Sequence, residues 1–184
     1  MENGIALLCG AEIPSGLIVK PIAQLAGSGK PVYVVDGDNS FRSYLIARYA
    51  REMNLDPRLA LAQVQVSRAF TCYQLTEIVE RLSRRADSVN CAGIVCLGLL
   101  GTLYDEDVAW PEAQRLLREV MTHLKALSDR WLVLVTVRPP PSKARNRLGL
   151  IQALMQQADA IRSLQLDPHF ERPAQIRLRL SPGQ

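Results

Sequence analysis

Residues 11–18, Ala11-Glu12-Ile13-Pro14-Ser15-Gly16-Leu17-Ile18, stand between an apolar strand-like run and a helical segment, where a nucleotide-binding α/β protein carries its phosphate loop. Such a loop, GxxxxGK[ST], wraps phosphates in backbone N–H groups while its Lys reaches the terminal phosphates and its hydroxyl holds Mg²⁺. Leu17 and Ile18 occupy those two side-chain positions, and neither carries charge or binds metal. Each lost charge-assisted contact weakens binding by about 1.5–3 kcal/mol, and the lost metal ligand removes a requirement of phosphoryl transfer. The expectation is a nucleotide-hydrolase scaffold without its catalytic parts. Gly16, through its backbone, and Lys20, from an unusual position, are the residues left to contact a nucleotide.

Other stretches invite chemistry and are read more plainly. Gly27-Ser28-Gly29-Lys30 imitates the tail of a phosphate loop, but Gln24 stands where the first glycine belongs, Pro31 replaces the hydroxyl, and a strand follows. It reads as a turn. Tyr104-Asp105-Glu106-Asp107 offers three carboxylates without the glycine and spacing of a calcium loop, so it reads as a solvated acidic loop or one that meets a basic partner. Trp110 beside it is a plausible interface anchor, with core burial as the default. The four cysteines form no CxxC pair and the two histidines, His123 and His169, lie far apart, which argues against zinc.

The positive candidate is the segment 138–147, in which Arg138, Lys143, Arg145 and Arg147 occur without an acid. Those four cations equal the net charge of the whole chain, +4. No aromatic residue is present to stack on bases, so nucleic-acid contacts there would go to phosphates and weaken with salt. A solvated basic loop is the alternative. Arg81, Arg84 and Arg85 form a second cluster at a helix end, where cations offset the helix dipole.

The elements that must hold these residues alternate. Short β-rich runs at residues 5–8, 32–35, 64–67, 94–97 and 132–137 are separated by helix-period stripes, the pattern of a parallel sheet with crossover helices. The stripes are Phe41, Leu45 and Tyr49; Leu75, Ile78, Val79 and Leu82; and Leu116, Leu117, Val120, Met121, Leu124 and Leu127. Pro111 and Glu112 suit the first turn of the third helix. Leu148, Ile151, Leu154 and Met155 predict one more helix, residues 160–164 a strand, and the alternation Ile176, Arg177, Leu178, Arg179, Leu180 a late strand. Pro21 would break a long helix after the loop, so that helix is expected only over residues 20–26, away from where phosphates would sit.

With 184 residues and 48% hydrophobic content, the chain is long enough for one buried core. Its longest apolar runs, residues 4–9 and 93–101, are too short to span a bilayer, and the first residues lack a secretory pattern. The expected location is the cytoplasm, with no membrane partner.

Taken in order, these motifs resemble the ATPase core of the RecA-type strand-exchange recombinases, especially the archaeal and eukaryotic branch with its paralogues. Residues 32–42, Val-Tyr-Val-Val-Asp-Gly-Asp-Asn-Ser-Phe-Arg, are similar to the second strand and the acidic segment that carries the catalytic glutamate in that family. Val66-Ser67-Arg68-Ala69-Phe70-Thr71-Cys72-Tyr73-Gln74-Leu75 resembles its RAF…Q segment, and residues 132–138 resemble its sensor strand. The resemblance implies a three-layer α/β/α RecA-like fold: a single core domain over residues 1–184, without the family's N-terminal helical domain. It also implies where catalysis is missing. Leu17 and Ile18 replace the Walker A Lys and Thr, Leu97 or Gly98 replaces the Walker B aspartate, Val137 and Arg138 replace the sensor pair, and only Asp38 keeps an acid at the glutamate position.

The function expected is that of a non-hydrolysing accessory or paralogue-type subunit in DNA recombination or repair, without cofactor. Its partners would be a RecA-type recombinase or further copies of itself, with single-stranded DNA touched through residues 138–147. The alternatives are a divergent switch that binds ATP without efficient hydrolysis and a scaffold that only binds proteins.

Overall fold

Strands buried on both faces need apolar residues throughout rather than alternation, and the runs at residues 5–8, 32–35, 94–97 and 132–137 meet that need, whereas Val64-Gln65-Val66-Ser67 alternates and stays largely exposed. In the computed structural model, which describes residues 3–88 and 90–164, the strands are β1 (Gly4–Gly10), β2 (Val32–Asp36), β3 (Val64–Arg68), β4 (Gly93–Leu97), β5 (Leu132–Val137) and β6 (Ala160–Leu164). The strands make one parallel sheet in the order β3-β2-β4-β5-β1-β6. All five residues of β4 are buried. The late strand expected over residues 176–180 lies outside the described residues.

Helices α1 (Ser15–Ala26), α2 (Ser43–Glu52) and α3 (Pro57–Gln63) cover one face around Ile18, Ile22, Ile46, Ala50 and Ala60. Helices α4 (Cys72–Arg84), α5 (Trp110–Ser128) and α6 (Leu148–Met155) cover the other around Leu75, Val79, Val120, Leu124 and Leu154. The fold is the three-layer α/β/α RecA-like architecture. All six stripe positions of α5 are buried. In α4, Leu75 and Val79 reach the core while Ile78 and Leu82 pack at its margin. Thr71 caps α4 by accepting from the Gln74 N–H at 3.1 Å, and the Gln74 side chain reaches back to the Phe70 N–H at 2.9 Å.

Three expectations are corrected. Helix α1 starts at Ser15, five residues before the expected position, and carries Pro21 inside it. An interior proline forfeits one backbone hydrogen bond and crowds the preceding turn, but Ile18, Val19, Ile22, Ala23 and Ala26 are all buried along the helix. At roughly 1.5–3 kcal/mol per large apolar side chain, that burial outweighs the proline. Phe41 is buried ahead of α2 rather than on it, and Ile46 and Ala50 are the buried positions of that helix. Helix α3 was not expected because only Ala60 is buried along it. It is set by its start, where the Asp56 carboxylate accepts from the Arg58 and Leu59 N–H groups at 2.8 and 3.4 Å and Pro57 takes the first turn.

Candidate functional site

Helix α1 leaves β1 toward one face of the sheet, whereas the chain leaving the neighbouring β5 goes to the other, so their loops part at the carboxyl ends of the strands. Ligands of open α/β sheets bind at such a divergence. Because α1 begins at Ser15, its N-terminus follows β1 directly, and the displaced start expected from Pro21 does not occur. The side chains tell against a phosphate. Ile18 is 8% exposed within the core beneath α1, α2 and α3, and Leu17 packs at the edge of the same cluster. A Cβ on Gly16 would lie 3.1 Å from the Tyr49 hydroxyl, and Lys20 Nζ sits 5.3 Å from the Tyr49 ring centroid. Lys20 is therefore drawn onto α2 by a cation–π contact.

At the ends of β2 and β4 two aspartates divide the work. Asp36 is fully buried; it accepts from the Ser40 and Phe41 N–H groups at 3.0 and 3.3 Å and from Arg68 Nε at 3.1 Å. It fixes the turn that follows β2. Asp38 then folds over Gly98, whose φ of +55° and lack of a side chain leave the room. A Cβ on Gly98 would lie 2.2 Å from the Asp38 Cγ, so the space beside the end of β4 is filled by a carboxylate from the loop that follows β2.

Asp38 Oδ2 lies 3.7 Å from Arg138 Nη1, longer than a charge-assisted hydrogen bond, and Oδ1 is buried without a hydrogen-bond partner. The three loop bases are joined: the Gly37 N–H donates to the Leu97 carbonyl at 2.8 Å, and the Gly98 N–H donates to Thr136 Oγ1 at 2.9 Å.

Beside Asp38 opens a cleft of about 510 Å³ lined by Asn39, Phe70, Thr102, Tyr104, Asp105 and Pro141 among others. The Tyr104 hydroxyl donates to the Arg138 carbonyl at 2.8 Å, and burial pushes its pKa up, so the phenol stays protonated. Burial also raises the thiols of Cys9 to about 11 and Cys96 to about 12, which makes both poor nucleophiles at neutral pH. Among the described residues, no group of three or more His, Cys, Asp or Glu is placed to hold a metal ion.

The basic segment is not one exposed surface. Residues 142–147 wind into 3-10 turns that bury Ala144 and Arg147, while Lys143 and Arg145 stay exposed. Arg147, expected to face phosphate, is 3% exposed and unavailable to DNA. Its guanidinium lies 5.6 Å from the Trp110 ring centroid and donates through Nη2 to the carbonyls of Asp105, at 3.0 Å, and Val108. The acidic loop and the basic segment are thus tied side by side. A lone basic code in sequence reads as solvated; only the distant Trp110 and the carbonyls of residues 105 and 108 turn Arg147 inward.

Asp36, Tyr49 and Thr136 were missed as organising residues. For Asp36 a signal existed: an acid ending an apolar strand needs donors, and Gly37 to Phe41 supply them.

A family model described as Rad51 matches residues 15–141, from the first residue of α1 into the proline run after β5. No curated protein matches the chain.

Proposed function

The chain belongs to the Rad51 family, whose work is recombination and repair, and from that membership we propose that it is a non-hydrolysing accessory subunit that recognises partners without turning over ATP. One observation carries this reading: the two residues that should clasp triphosphate and Mg²⁺ are Leu17 and Ile18, packed into or against the core, and β4 ends in no carboxylate of its own. A family ATPase would lose both its terminal-phosphate contact and its metal.

Recognition needs a surface, and the sheet supplies one. Members of the family form oligomers and partner with recombinases. Among the described residues β3 is an edge strand, and Leu59, Leu61, Val66, Phe70 and Tyr73, on it and just before and after it, are all exposed. Unpaired strand backbone flanked by apolar side chains is suited to pairing with a strand of another chain. Lys143 and Arg145 are the cations available to single-stranded DNA, with Arg138 half-engaged by Asp38. Single-strand affinity at low salt should fall when both are changed to Ala; no affinity at low salt in the unaltered chain removes DNA from the proposal.

A calorimetric titration with ATP, with and without Mg²⁺, tests the main reading. No saturable heat at millimolar nucleotide is expected, and a saturable Mg²⁺-dependent isotherm would refute it. The second reading, a switch that holds ATP without hydrolysis, draws support from α1, whose N-terminus follows β1 directly and carries no side-chain cap. It predicts saturable binding that Lys20→Ala weakens.

A further inference from the structure

We propose that the cleft between the ends of β2, β3 and β4 is a recognition site for a guanidinium group, an arginine side chain presented by a partner protein. The proposal deepens the reading of the chain as a recognition subunit, but it stands on the cleft alone and not on the edge strand.

Charge comes first. The charged residues lining the cleft are Asp38 and Asp105, both acids, which disfavours phosphate and carboxylate ligands. The Asp38 carboxylate is pressed over Gly98 and close to Gly101, where an added Cβ would lie 3.3 Å from the Asp38 Cβ. Its Oδ1 is buried without a partner, and so is the Oγ1 of Thr102, another residue of the lining. Buried polar atoms are nearly always hydrogen-bonded, and an unpaired carboxylate oxygen is among the costlier exceptions. Both atoms sit just under the cleft surface, so a donor entering the cleft would satisfy them once the two side chains turn toward it. Arg138 reaches the other oxygen, Oδ2, at 3.7 Å and leaves Oδ1 to a newcomer.

Shape and chemistry then narrow the class. The cleft is roomy enough to admit an extended side chain together with part of the partner that presents it, and far larger than a bare ion needs; no third His, Cys, Asp or Glu joins these acids in a metal-holding group among the described residues. Phe70 is 71% exposed on one wall, an apolar face left open to solvent, and Tyr104 stands on another. A guanidinium is planar, always charged, weakly hydrated and stacks on aromatic rings, whereas an ammonium is a compact, strongly hydrated point charge. Asp38 and Thr102 would take the N–H groups, Phe70 the flat face, and Asp105 the residual charge at the mouth.

The test is an amide NMR titration of the full chain with N-acetyl-arginine amide, using N-acetyl-citrulline amide as the neutral isostere. Saturable shifts at the Asn39, Phe70, Gly101 and Thr102 amides are expected in the millimolar range. Citrulline should bind at least tenfold more weakly, and Asp38→Asn should raise the dissociation constant at least tenfold. Because Asp38→Asn alters a packed residue, Thr102→Val and Phe70→Ala serve beside it, and each should weaken binding severalfold with an unchanged spectrum elsewhere. Equal binding of citrulline, no saturable shift at these amides, or a response of the same amides to Mg²⁺ but not to arginine overturns the proposal. Failure here leaves the calorimetric test of nucleotide binding untouched, and saturable ATP binding would leave this cleft untouched in turn.

Discussion

At the residue scale, the same carboxylate chemistry does three jobs, separated by surroundings. Asp36 is a buried strut; Asp38 is an under-satisfied acid facing a cleft; Asp159 is a clip between strands. Asp159 Oδ2 accepts the Ile5 N–H at 2.8 Å, and its carboxylate faces Lys125 Nζ at 3.0 and 3.2 Å. Partial burial alone would raise its pKa, but the Ile5 hydrogen bond and the Lys125 charge outweigh burial and lower it. A folded pKa below the unfolded value means that stability is contributed in full above the unfolded aspartate range, near pH 4, and is lost as pH falls through the folded value. Asp159→Asn should therefore flatten the acid side of a urea-midpoint-against-pH curve while narrowing the gap to wild type below about pH 3. A constant offset at every pH would contradict this.

At the element scale, helix α1 is the sharpest departure from what the residues suggest in isolation. Pro21 carries a local rule that the buried row of Ile18, Val19, Ile22, Ala23 and Ala26 overrides, and nothing in residues 15–26 alone reveals that the sheet and α2 wait to cover that row. Pro21→Ala restores an N–H able to donate to the Leu17 carbonyl. It should stabilise the chain by about 1–3 kcal/mol in urea unfolding, the interior-proline penalty less the entropy that proline removes from the unfolded chain. If the helix began at residue 20, the proline would sit in the first turn and the change would be neutral or destabilising.

By contrast, α5 was legible because its leucines, Val120 and Met121 fall on one buried stripe, and β5 because its six residues, Leu132 to Val137, are all apolar or β-branched. The candidate site was legible only in part. Leu17, Ile18 and Asp38 announce themselves by residue type, whereas the inward turn of Arg147 and the overlap of Asp38 with Gly98 depend on contacts between residues 37 and more positions apart.

At the scale of the whole molecule, the sheet divides the chain's affairs. Its carboxyl ends gather the N-terminus of α1, the Asp38 cleft and the joined acidic and basic loops, while β3, at one edge of the sheet among the described residues, leaves apolar side chains exposed. Among the described residues no helix is long and apolar enough to cross a membrane. Changing Val66 to Lys places a charge on the exposed edge, a substitution known in general to discourage strand addition. Self-association, or co-elution with a RecA-type recombinase, should drop by at least tenfold in affinity, with stability within about 0.5 kcal/mol of wild type as for other surface changes. Assembly that is indifferent to Val66→Lys would move the interface elsewhere.

Whether the fold works by recognition or by turnover is decided by phosphate release from Mg²⁺-ATP, measured with the full chain at high concentration in the presence of single-stranded DNA. With Ile18 buried in the core, Leu17 packed against its edge and Gly98 in place of a carboxylate, release should match a blank without protein. Steady release above that blank, lost when Asp38 is changed to Asn, would contradict it.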